Sequence, residues 1–119
     1  MPRFLLIARD GGRWTRISEN ASPTEIQAVL GKYRAWMDRV AGQGKLKGGE
    51  KLRDGQGRVL TGQEKALKVT DGPYVESKEV VGGFWLIEAD TYDDVVKLAA
   101  DSPHLQFGTL EVREIEEMR

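Results

Sequence analysis

Ser22-Pro23-Thr24-Glu25-Ile26-Gln27-Ala28-Val29-Leu30-Gly31-Lys32-Tyr33-Arg34-Ala35-Trp36-Met37-Asp38-Arg39-Val40 reads as one long amphipathic helix. Ser22 supplies the N-cap oxygen, Pro23 the preset φ of a first helical residue, and Glu25 sits where a capping box closes. Ile26, Val29, Leu30, Tyr33, Trp36, Met37 and Val40 fall within an arc of about 120°, the width of a core-facing stripe. Gly31 lies off that stripe and costs about 1 kcal/mol relative to alanine. Gly42 and Gly44 stop the helix.

Upstream, Phe4-Leu5-Leu6-Ile7-Ala8 is a short apolar run bounded by Asp10-Gly11-Gly12, a buried first strand ending in a turn. Trp14 and Ile17 punctuate what reads as a polar loop. Downstream, 10 of the 14 glycines lie between Gly42 and Gly83, and helical periodicity disappears there. Residues 45–52, 58–60, 66–70 and 83–88 read as strands, with Asp54-Gly55 and Gln56-Gly57 suited to a hairpin tip. Phe84-Trp85-Leu86-Ile87 is a central strand covered on both faces. Asp90-Thr91 opens a second helix whose first turn holds Asp93 and Asp94, where the helix dipole favours negative charge. Tyr92, Val95, Leu98 and Ala99 form its buried side, and Pro103 ends it. Residues 108–115 alternate apolar with polar, a last strand with one face in the core. Strand, helix, strand-rich middle, helix, strand predicts an α+β ferredoxin-like sandwich: a mainly antiparallel sheet, two helices on one face and an inserted β-hairpin.

The 119 residues suffice for one domain, 1–119. A hydrophobic share of 39% is too high for a disordered chain. No run reaches the length of a membrane span or of a signal peptide's apolar core. Lys and Arg total 18 against 19 Asp and Glu, so no basic footprint supports direct nucleic-acid binding. Cysteine is absent, which excludes disulfides, thiolate catalysis and cysteine-based zinc sites. These features fit a cytoplasmic protein.

Val69-Thr70-Asp71-Gly72-Pro73-Tyr74-Val75-Glu76 resembles the signature of the YCII-related family, in its DGPF branch, with Tyr74 where the branch carries phenylalanine. Ser22 to Glu25, Tyr33 to Trp36, Gly48-Gly49-Glu50, Gly82 to Glu88 and Gly108 to Arg113 resemble its other blocks in order. The resemblance spans nearly the whole chain. It implies a dimeric α+β barrel, in which two ferredoxin-like sheets enclose a shared interior. Muconolactone isomerases and small cofactor-independent monooxygenases share that architecture, which is analogy of fold and not of chemistry. Shorter relatives are associated with a His-Asp pair whose histidine lies on the first helix. Lys32 and Tyr33 occupy that region here, so the pair does not carry over.

Asp71-Gly72-Pro73 is first a rigid turn: aspartate favours an Asx turn, glycine permits unusual dihedrals, proline fixes φ. A functional reading has the same turn aim Asp71 and Glu76 into a pocket, where two carboxylates in a partly dry space split their pKa values. His104, the only histidine, belongs to the one side-chain type that ordinarily titrates near neutrality. It reads either as a surface or capping residue at a helix end, or as a general base or proton shuttle facing Asp71 or Glu50. Without a second histidine or any cysteine, no metal site is assigned. Tyr33 and Trp36 read as core residues on the helix stripe, or as aromatic lining for an apolar ligand. Trp85 and Phe84 alternate, so one faces the helices and the other the open side of the sheet. That open apolar face calls for a partner, and a homodimer supplies one.

The catalytic candidates are therefore Asp71, His104 and Glu76, and the ligand-binding candidates Tyr74, Glu50, Trp36 and Tyr33. The expectation is a homodimer binding a small, partly apolar molecule and acting without a tightly bound cofactor, by isomerisation, proton transfer or oxidation. The rival expectation, from the resemblance, is a regulatory module partnered with an extracytoplasmic-function sigma factor.

Overall fold

The computed structural model describes residues 1–72 and 80–118. Among these residues, six strands and three α-helices follow one another as β1 (Arg3–Asp10), α1 (Arg13–Asn20), α2 (Pro23–Gly42), β2 (Leu46–Lys51), β3 (Arg58–Thr61), β4 (Lys68–Asp71), β5 (Val80–Glu88), α3 (Tyr92–Ala99) and β6 (Thr109–Glu114). A 3-10 turn at Pro103–Gln106 joins α3 to β6. The main sheet runs β2-β5-β1-β6 with all neighbours antiparallel, the ferredoxin-like order.

Helix α2 forms as its sequence dictates. The Ser22 hydroxyl accepts the Glu25 amide at 3.1 Å, and Pro23 stands at the first helical position. Its stripe delivers Trp36 and Val40 to a core built with Phe4, Leu6, Ile87, Ala89, Val95 and Ala99. Phe4, Leu6, Val40, Ile87 and Val95 are essentially sealed from water. Paired residues in an antiparallel ladder share a face. Phe4 and Ile87, Leu6 and Trp85, and Ala8 and Gly83 therefore point together toward the helices. Leu5 with Leu86 and Ile7 with Phe84 point the other way. These four are half-buried, and no helix among the described residues covers them. The central strand is thus covered by helices on one face only.

Two further expectations change. Residues 13–20 are helix α1, not a polar loop: both carboxylate oxygens of Asp10 cap its first turn, accepting the amides of Arg13 at 2.8 Å and Trp14 at 3.0 Å. Asp54 to Gly57 is not a hairpin tip, because β2 pairs with β5 instead of β3. The inserted hairpin is β3–β4, reversed through Gly62 at φ +80 and a 3-10 turn at Glu64–Ala66. It forms a separate two-stranded sheet.

Candidate functional site

The last residues of β1, the middle of α2 and the 3-10 turn meet at one end of the sheet. His104 is buried there, only 7% exposed, and is neither a surface nor a simple capping residue. Its Nε2 lies 2.9 Å from the carbonyl oxygen of Arg9, and its Nδ1 lies 3.3 Å from the Tyr33 hydroxyl. A carbonyl can only accept, so Nε2 carries the proton in the neutral ring and Nδ1 presents its lone pair. The Tyr33 hydroxyl is then the donor to Nδ1. Geometry has selected both the tautomer and the direction of the bond.

Local sequence explains the convergence. The ladder between β1 and β5 shifts register between Ala8 and Arg9, with Gly82 of β5 as the extra residue, so the end of β1 lies beside a bulge. Gly108 allows the 3-10 turn to close on that end, since a Cβ there would stand 1.9 Å from the Arg9 carbonyl oxygen. The Ser102 hydroxyl accepts the His104 amide at 3.3 Å and fixes the turn's start.

Aromatic rings surround the pair. Trp85 stacks on Tyr33, with centroids 6.4 Å apart, and meets Trp36 edge-on at 5.1 Å. Trp36 Nε1 donates to the Leu98 carbonyl at 2.9 Å, which satisfies its one polar atom. Burial, joined by the negative charge of Asp10, pushes the Tyr33 phenol from its ordinary 10.0 up to about 12. Tyr33 is therefore a neutral hydroxyl at physiological pH, suited to donate or relay a proton and not to act as a phenolate. Beside the pair, an open groove of about 530 Å3 runs between α2 and the 3-10 turn, with Trp36 and Pro103 among its apolar lining and Lys32, Arg39 and Asp101 among its charged lining. Arg39 donates to Asp101 at 2.6 Å, and that bond holds the Asp101 carboxyl below its ordinary range.

Of the residues singled out by sequence, Tyr33, Trp36 and His104 come together. Asp71 does not join them: it ends β4, with a side chain 93% exposed and paired with Arg58 at 3.2 Å. Glu50 lies exposed on β2, opposite Phe84. His104 therefore faces neither Asp71 nor Glu50 but Tyr33 and a backbone carbonyl. Glu76 and Tyr74 lie outside the described residues. Sequence reading passed over Asp10 and the Arg9 carbonyl as parts of the site. The cue for Asp10 is its place three residues before Arg13, the spacing of a capping carboxylate. A backbone carbonyl leaves no cue in residue type.

Among the described residues, no set of three or more His, Asp or Glu side chains converges as metal ligands. No helix among them is long and apolar enough to cross a membrane. A solved structure of 5-chloro-2-hydroxyhydroquinone dehydrochlorinase from Burkholderia phenoliruptrix AC1100, in complex with 2,5-dihydroxybenzoquinone, is similar to this chain. The likeness covers 98% of this chain and 95% of that one, at 18% identity and a TM-score of 0.52, and it is one of fold. No curated protein matches the sequence. The model of the YCII-related domain matches residues 13–119, nearly the whole chain, and the protein belongs to that family.

Proposed function

We propose that this chain, acting as a single domain of the DGPF branch, is a homodimeric cytoplasmic protein that binds a small, partly apolar cyclic molecule and transfers a proton on it without a tightly bound cofactor. The observation that carries this reading is the Tyr33–His104 pair at 3.3 Å, held against the Arg9 carbonyl and walled by Trp36 and Trp85. A substrate proton accepted by the Tyr33 oxygen drives the phenol's own proton onto His104 Nδ1. The resulting imidazolium keeps its Nε2 proton on Arg9. Run backwards, the same relay returns a proton to another atom of the substrate, which is the balance an isomerisation requires. Tyr33 and His104 carry the chemistry in this reading, and Trp36 contributes apolar lining.

The dihydroxybenzoquinone in the structural neighbour suggests the ligand class, a small hydroxylated quinone or its enol. The homodimer is supported by the half-buried apolar centre Leu5, Ile7, Phe84 and Leu86 on the face without helices. The sigma-factor reading rests on resemblance alone, and neither the family match nor the neighbour adds to it.

Calorimetric titration with 2,5-dihydroxybenzoquinone tests the proposal. Saturable binding that weakens at least about 10-fold in Tyr33→Phe and in His104→Asn is the expected result, as for removal of a charge-assisted or buried hydrogen bond. Binding that both variants leave unchanged would overturn the site, and absence of binding would overturn the ligand class.

A further inference from the structure

We infer that the β3–β4 hairpin is an arm that clasps a second copy of this chain. The inference rests on the homodimer reading above and assigns the arm a part in it. A two-stranded hairpin standing alone is marginally stable in water and needs a further strand or helix against its apolar face. Among the described residues, β3 and β4 pack on each other and have no substantial packing with the main sheet or the α-helices.

The arm nonetheless carries an apolar face. Leu60 pairs with Val69 across the two strands, so both side chains stand on one side, and they are 60% and 55% exposed. Leu67, two residues before Val69, adds to that side, and the Arg58–Asp71 ion pair borders it. Such a surface is built to be covered.

The size of the missing cover identifies the occupant. A compact monomer of 13.3 kDa exposes roughly 6,500 Å2, whereas this chain exposes 8634 Å2. Its radius of gyration is 16.4 Å, against roughly 13.5 Å for a compact domain of 119 residues. The surplus, roughly 2,000 Å2, is of the order that one protomer contributes to an obligate homodimer, about 1,000–2,500 Å2. The arm also springs from the ends of β2 and β5, the strands that bear half of the open sheet face. In this inference one copy of the chain covers both the arm and the open face.

Analytical ultracentrifugation of the full chain and of Val69→Glu decides the matter, with hydrogen exchange at residues 58–61 and 68–71 as a second reading. The expected result is a wild-type dimer with protected arm amides. In Val69→Glu the dissociation constant rises about 100-fold or more, because a carboxylate replaces a buried apolar contact, while circular dichroism stays unchanged. A variant that dimerises as tightly as wild type overturns the arm's role and leaves the homodimer standing. A monomeric wild type overturns both. Arm amides protected equally in dilute monomer show that the arm is held by its own chain, and the inference fails.

Discussion

The Tyr33 hydroxyl donates to His104 Nδ1 across 3.3 Å, between residues 71 positions apart in the chain. This bond ties the middle of α2 to the turn before β6, and the Arg9 carbonyl completes it from β1. Three separate elements thus hold one imidazole in one tautomer. Such over-determination is what a proton relay needs, because a free ring would sample both tautomers and both flips.

Tyr33→Phe removes the hydroxyl and leaves the ring stack on Trp85. A phenol raised to about 12 when folded, from an ordinary 10.0, favours the folded state while protonated. That contribution is fully present below pH 10.0 and is lost as the pH rises through about 12. Wild-type stability should therefore fall with pH across this window, and the variant should lose that part of the slope. Denaturant melts at stepped alkaline pH, together with phenolate absorbance, measure both effects. A variant with the same alkaline slope would contradict the assignment.

Gly108→Ala should damage the site more than its size suggests. The added methyl would stand 1.9 Å from a backbone oxygen, so the turn must retreat from β1 and take His104 with it. An overpacked backbone contact of this kind costs about 1–3 kcal/mol. Urea unfolding should show the loss, and the His104 ring resonances should move. A variant of wild-type stability with unmoved His104 signals would mean that the approach is not needed.

Asp71→Asn should be mild. The Arg58–Asp71 pair is exposed on both sides, 65% and 93%, and such pairs contribute under about 1 kcal/mol. The melting temperature should barely change, and ligand affinity should stay within about 2-fold of wild type, since Asp71 has no contact with the Tyr33–His104 pair. Loss of binding with an intact fold would return Asp71 to the site, reached from the arm of a second copy.

Helix α2 was legible because its signals are local and redundant. Ser22, Pro23 and the stripe from Ile26 to Val40 all agree, and core residues Trp36 and Val40 fall on that stripe. Helix α1 was not legible, since it contains no buried residue and its cap, Asp10, is separated from it by two glycines. The Asp54-Gly55 turn misled for another reason. Turn chemistry reports local geometry, whereas the partner of β2 is chosen by the apolar face of β5, 30 or more residues downstream. The site divides in the same way. Helical spacing placed Tyr33 and Trp36 on one face, and His104 stood out as the only histidine. Their meeting depends on the close approach of the turn to β1 at Gly108, and residue spacing does not encode that distance.

With one histidine in the chain, nitrogen-15 NMR of its ring reads the proposed relay without assignment ambiguity. The expected spectrum of the neutral ring in the free protein shows Nε2 protonated and Nδ1 bare, with both nitrogens shifting as 2,5-dihydroxybenzoquinone saturates the site. A proton resting on Nδ1, or saturation that leaves both ring nitrogens unmoved, would contradict it.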